Sequence, residues 1–350
     1  MRVLAGIAGV LLIWLIVSEF FVTFLLPRRV RRDPRIARGF TRLLWRPWRA
    51  VARRLSPSSA DTLLGFFGPL ALLVNLIVWS LALLIGYGLL EYAVAGNPFW
   101  SRFLISSGVF LSAEGVSGST AVHIIELAEA ATGLGVLFIV IGYMPSVYSA
   151  FSRRETAVSQ LATRGGSPPA AATLLHRAAG RDRWRDLERD LRAWEEWAAE
   201  LMETHLSYPL LMWYRSQHVN QNWLAALTAM VDVSAFVKAT VASEDTEAAD
   251  LTFRIGRHAL ADLALQLHLE PVSVDRLSDA DFEDLFAVVE RSTVANVDRE
   301  TARRKLDRLR REYEPNAQAL SEFLVLDLPP WFRHEEDRRR QRDRDLIGSS

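Results

Sequence analysis

The chain has 350 residues, and its 41 Lys and Arg balance its 41 Asp and Glu to a formal charge of zero. It contains no cysteine, which excludes a disulfide framework and thiolate metal or redox chemistry. Half of the residues are hydrophobic. They concentrate before residue 152, while acids gather in the second half, so a membrane part followed by a soluble part is expected.

Residues 3–26 form the first apolar run, with Glu19 as its only charge. The run is long for a signal peptide, lacks a small-x-small cleavage site, and is followed rather than preceded by positive charge. A retained membrane span is expected. In the next segment, 27–61, eleven arginines between 28 and 54 face one acid, Asp33. That bias assigns the segment to the cytoplasm and the N-terminus to the outside. Trp45 and Trp48 among the arginines fit an interfacial helix on anionic lipid headgroups. Lying between two apolar spans, the short basic run is not read as a nucleic-acid site.

Residues 62–94 and 121–151 each exceed the roughly 20 apolar residues that cross a bilayer. In the first, Pro69 is expected to divide an interfacial start from the spanning part. Asn75, four residues from Trp79 on one face, is expected to bond a neighbouring helix. Between the two spans, Phe99 to Phe110 reads as a helix of about 18 Å, roughly half a membrane. A loop follows to Thr120. Non-helical backbone at membrane depth must be buried in protein or line water. Span, half-length helix, loop and span are therefore the plan of a pore.

This plan, with Glu129-Ala-Ala-Thr-Gly-Leu-Gly135, Ile141-Gly-Tyr-Met-Pro145 and Ala150-Phe-Ser-Arg-Arg-Glu155, resembles the two-helix, pore-loop potassium channel family. In the tail, Gly166-Ser-Pro-Pro169, His205-Leu-Ser-Tyr-Pro209, Arg215-Ser-Gln-His218 and Asn222-Trp-Leu-Ala-Ala226 resemble a bacterial group within it that carries a long helical cytoplasmic domain. The resemblance implies an all-α membrane protein: three transmembrane helices plus a re-entrant pore helix, followed by a helical cytoplasmic domain. It further implies a homotetramer in a bacterial inner membrane, a permeant monovalent cation and no cofactor. The expected divisions are a span at 1–26, a basic segment at 27–61, a pore module at 62–152, a cytoplasmic domain at 153–332 and a charged tail at 333–350.

The filter stretch is Ser112, Ala113, Glu114, Gly115, Val116 and Ser117. Neither register yields Gly-x-Gly, which the alternating backbone of a potassium filter requires. Fourfold symmetry would instead give a ring of Glu114 carboxylates, selecting cations by charge with relaxed selectivity. The alternative is a non-conducting scaffold or sensor that keeps the channel fold. On the inner helix, Glu126 and Glu129 share a face. Intramembrane acids mark ion pathways or buried pairs, and for Glu129 a bond to Ser106 or Ser107 is expected. His123 lies at the outer mouth. Gly133, Gly135 and Pro145 are read as hinge or close-packing positions.

The tail reads as helices at 170–179, 181–206, 209–216, 222–242, 246–268, 279–293 and 295–312, with Ser278-Asp-Ala-Asp281 as a helix start. Trp194, Trp197, Trp213 and Trp223 are expected in its core or in subunit contacts. The sequence has neither a dinucleotide fingerprint nor a phosphate-loop motif. The histidines His176, His205, His218, His258 and His268 lack metal spacing, and no catalytic pair stands out. A non-enzymatic protein is expected, whose cytoplasmic partner or ligand no motif identifies.

Overall fold

The computed structural model describes residues 1–25, 36–96, 98–112, 119–179, 183–218, 220–242, 246–292 and 297–333. Among the described residues every regular element is helical. The chain divides into two compact units, Met1–Ser149 and Ala150–Ser350. Among the described residues four helices are long and apolar enough to cross a membrane: Arg2–Thr23, Ser58–Ala95, Thr120–Gly165 and Trp223–Thr240. The protein buries 17%, 44% and 17% of the most apolar windows of the first three, but 94% of the fourth. The first three present apolar side chains outward, as a membrane protein does, and the fourth is the interior of a bundle.

The first unit is built on α1 (Arg2–Phe20, extended by a π turn Phe21–Leu25), α2 (Ile36–Ala52), α3 (Pro57–Ala95), α4 (Phe99–Ser112) and the start of α5 (Thr120–Gly165). The first helix packs along α3. At one end of this contact Gly9 faces Gly86, and a Cβ on Gly9 would come within 2.6 Å of the Gly86 carbonyl. The absence of side chains there lets the two backbones approach, a usual device between membrane helices. Toward the other end Phe20 meets Trp79, ring centroids 4.7 Å apart.

The second helix folds against the first half of α3. Asn75 Nδ2 donates to Thr41 Oγ1 at 3.0 Å, the interhelical bond expected of an apolar-span asparagine. Two expectations need correction here. Trp45 packs inward rather than facing outward: it is 2% exposed and meets Phe67 at 4.7 Å, while Trp48 Nε1 donates to the Leu63 carbonyl at 3.0 Å. Nor does Pro69 divide the segment, since α3 runs unbroken for 39 residues through it. Leu64, Phe67, Ala71 and Leu72 are buried on both sides of the proline, and that packing holds one helix across the missing N–H.

The second unit takes up the end of α5 and continues with α6 (Ala171–Ala179), α7 (Trp184–Ser207), a 3-10 turn Pro209–Trp213, α8 (Trp223–Thr240), α9 (Glu247–Gln266), α10 (Asp279–Glu290) and α11 (Arg299–Leu324). The apolar stripe of α7, with Leu187, Leu191, Trp194, Trp197, Ala198 and Leu201, is buried. Trp213 and Trp223 are buried too. Asn222 caps α8 by accepting the Ala225 N–H at 2.6 Å, and Ser278 caps α10 through the Asp281 N–H at 3.1 Å. Packed by α6, α7, α9 and α11, α8 forms the centre of the unit.

The sequence expectation for the last helix stopped at 312, but α11 continues through Pro315 to Leu324. Tyr313, Ala317, Leu320 and Leu324 repeat at helical spacing and are buried, so the stripe carries the helix past the proline. Likewise α5 runs to Gly165, beyond the expected end at 151, with Pro145 inside it.

Candidate functional site

The short helix α4 has 14 residues, about 21 Å at 1.5 Å per residue. It is fitted between α3 and α5 at positions that leave room for its backbone. A Cβ on Gly88 of α3 would stand 3.4 Å from the Phe103 backbone. One on Gly133 of α5 would collide with the Phe110 carbonyl. Gly133 is thus a close-packing position. Gly135 differs, because a Cβ there would meet no heavy atom within 4 Å. Pro145 lies inside an unbroken helix.

Polar groups converge on the same seam. Ser106 of α4, fully buried, donates its hydroxyl to Glu129 Oε1, and the Leu84 carbonyl lies 3.4 Å away. Thr132 donates to the Ala128 carbonyl at 2.8 Å. The 2.7 Å contact between Tyr87 and Thr132 hydroxyls is therefore donated by Tyr87. These bonds tie α5 to α4 on one side and to α3 on the other.

Around them lie three buried carboxylates, Glu91 on α3 and Glu126 and Glu129 on α5, exposed by 0%, 2% and 0%. They lie near enough to repel one another. Arg102 of α4 is the guanidinium among them, its Nη1 3.9 Å from Glu91 Oε2. His123, largely exposed, brings Nδ1 to 3.8 Å from Glu126 Oε2. Both oxygens of Glu91 and of Glu126 lack a hydrogen-bond partner among the described residues. Unpartnered buried carboxylates are rare in stable cores, where they are paired or absent. Within a membrane span such acids are candidates for a functional role.

The expected filter fares differently. Ser112 closes α4, while Ala113, Glu114, Gly115, Val116 and Ser117 lie outside the described residues. The seam also contains residues that sequence reasoning passed over. Glu91 is the only Asp, Glu, Lys or Arg between residues 62 and 94, and a lone ionisable group in an apolar run is itself a signal. Arg102 carries the matching signal in the half-length helix.

In the second unit, Arg154 is buried at 2% exposure. It donates to the Leu211 carbonyl through Nη1 and to the Tyr214 carbonyl through Nη2, both at 2.9 Å, and to Glu155 Oε1 at 2.9 Å. Its Nη1 also lies 3.3 Å from His205 Nε2, while His205 Nδ1 is 2.8 Å from the Leu201 carbonyl. A guanidinium can only donate, so Nε2 accepts and the imidazole proton sits on Nδ1. Burial first, and Arg154 second, push this histidine down to about 3, which keeps it neutral. Arg153 pairs with Glu200.

Arg215 and Asn222, singled out in the sequence, also serve as anchors. Arg215 donates to the carbonyls of Leu324 and Val325 at 3.0 and 2.7 Å. Asn222 donates to that of Asp327 at 3.0 Å. Among the described residues no three His, Asp or Glu are grouped to hold a metal ion. Comparison with protein-family models, with curated proteins and with solved structures returned no match.

Proposed function

We propose that the chain is one subunit of a potassium-channel-like, tetrameric cation channel with a non-standard filter and relaxed selectivity. The observation that carries this reading is the half-length helix α4, held at its back by Ser106–Glu129 and by the bare face of Gly133. A helix too short to span, wedged between two helices that can, is what a re-entrant pore helix requires. In this reading α1, α3 and α5 are the three spans, the N-terminus lies outside and the second unit is cytoplasmic, in a bacterial inner membrane.

The outward apolar surface supports an assembly. Trp100 and Leu104 of α4, and Leu127 and Phe138 of α5, are each more than 60% exposed. Copies of the chain around a fourfold axis would cover faces that one chain leaves bare. Arg46, Arg53 and Arg54, exposed near Leu43 and Val51 of α2, suit anionic headgroups. The cytoplasmic unit would take a partner or ligand of its own. The missing Gly-x-Gly in 112–117 favours a second reading, a non-conducting scaffold or sensor that retains the fold.

Flux of potassium, sodium and a large impermeant cation into proteoliposomes separates the two, with Glu114→Gln and Glu126→Gln alongside. The channel reading expects potassium and sodium both to pass and Glu114→Gln to reduce the flux. No flux from a folded tetramer would overturn it and leave the scaffold.

A further inference from the structure

Within the second unit, the last turn of α5, the face of α6 and the first turns of α7 enclose an open cleft of about 260 Å³. Four guanidiniums line it, from Arg164, Arg177, Arg183 and Arg189, against two carboxylates, Asp186 and Asp190. Among the described residues, four positive groups against two negative ones leave a surplus of two positive charges.

The existing pairings do not exhaust the guanidiniums. Asp186 is shared by Arg189 and by Arg183, whose Nε stands 3.9 Å away. Arg164 reaches Asp190 at 3.5 Å. Among the described residues Arg177 has no ion pair within 4 Å. A guanidinium carries five N–H donors, and separations of 3.5 to 3.9 Å leave most of them unengaged. Burial also lifts the Asp190 carboxyl above its ordinary range, against the pull of Arg164 and Arg177. The 24-residue helix α7 begins at Trp184 without a side-chain cap; the Arg183 carbonyl takes the Asp186 and Leu187 N–H groups, which leaves those of Trp184 and Arg185 without a backbone acceptor among the described residues. Guanidinium forks and free helix N–H groups share a preferred ligand, an anion with several oxygens spread over a tetrahedron.

We propose that this cleft binds a phosphate-bearing small anion. The site is wholly within the second unit, and it stands or falls independently of the channel reading. A free phosphate ester and a lipid headgroup offer the same chemistry, and the test separates them.

The full chain, purified in an uncharged detergent, is titrated calorimetrically with pyrophosphate and, separately, with a short-chain phosphatidylglycerol below its micellar concentration. The expected result is saturable binding of pyrophosphate at one site per chain. Arg177→Ala should weaken it about tenfold, the loss of one charge-assisted contact. Asp186→Asn should tighten it, because it frees Arg183 and Arg189. A gain in affinity cannot come from a misfolded variant, and circular dichroism checks the fold of Arg177→Ala. Binding of the lipid alone, weakened by Arg177→Ala, assigns the site to a headgroup. Saturation by neither probe, or binding that Arg177→Ala and Asp186→Asn both leave unchanged, overturns the proposal.

Discussion

Asp232 in α8 and Glu126 in α5 are both buried acids in apolar helices, and their surroundings could hardly differ more. Asp232 receives both arms of Arg276, at 2.5 and 3.1 Å, and the Tyr313 hydroxyl at 2.5 Å. Arg276 continues to Glu314 at 3.1 Å and to the Pro329 carbonyl at 3.0 Å. Glu314 in turn accepts from Arg310 Nε at 3.0 Å. Glu126 has His123 at 3.8 Å and no hydrogen bond among the described residues. The second unit thus knits α8, α11 and the segment before α10 with a buried charge network that satisfies its carboxylates. The seam of α3, α4 and α5 in the first unit holds three acids, Glu91, Glu126 and Glu129, beside one guanidinium, Arg102. The difference teaches that burial alone does not define a charge's part in the fold. Where partners are complete it fixes the packing of helices, and where described partners are missing the charge contributes no such tie.

Removing Asp232 gives the largest expected effect. Asp232→Ala leaves Arg276 and the Tyr313 hydroxyl buried without their acceptor, and stability should fall by about 3–5 kcal/mol. Thermal or denaturant unfolding of the full chain in detergent measures it. A loss below about 1 kcal/mol would mean that the network is incidental and would erase the contrast between the units.

The neutral His205 sharpens the comparison through pH. Folded, its imidazole is pushed down to about 3 from 6.5, so below pH 6.5 the unfolded chain binds the extra proton. Its stabilising contribution is complete above pH 6.5 and is lost as pH falls toward 3. The slope is at most about 1.4 kcal/mol per pH unit, which amounts to about 2 kcal/mol by pH 5. His205→Gln, compared with the unaltered chain from pH 7 to 5, should remove that part of the acid sensitivity. Parallel stability curves for the two would contradict the buried neutral imidazole held between Arg154 and the Leu201 carbonyl.

Much of this arrangement can be read from the sequence, because it rests on local pattern. The apolar runs become α1, α3, α4 and the first part of α5. The stripe of α7 and the Ser278 cap follow directly from residue spacing. The bond from Ser106 to Glu129 joins residues 23 apart, yet it was legible because an acid in a span needs a polar partner on the next helix. What escaped the reading depends on distant packing. Pro69 and Pro315 look like stops, but each loses one hydrogen bond inside a helix whose buried side chains continue on both sides. The composition of α8 is that of a span. Only the helices that enclose it, far along the chain, make it a core. Glu91 and Arg102 escaped as a pair because each looks like a terminal charge until α4 folds back on α3.

The smallest expected effect tests the other half of the contrast, and its sign matters more than its size. Glu126→Gln keeps the shape of the side chain and removes a charge that no described group hydrogen-bonds. In a satisfied network such a change breaks partners. At Glu126 it breaks no hydrogen bond among the described residues and only the long contact to the exposed His123, and it relieves repulsion from Glu91 and Glu129. The expected outcome is unchanged stability or a gain of up to about 1 kcal/mol, since unpaired buried polar groups are the costly ones. Unfolding of the variant beside Asp232→Ala, in one detergent at pH 7, makes the comparison direct. A loss approaching that of Asp232→Ala would show that Glu126 is a structural acid after all. Its partner would then lie outside the described residues or on a neighbouring copy of the chain. Unchanged stability together with altered cation flux would instead identify a carboxylate that the first unit retains for transport.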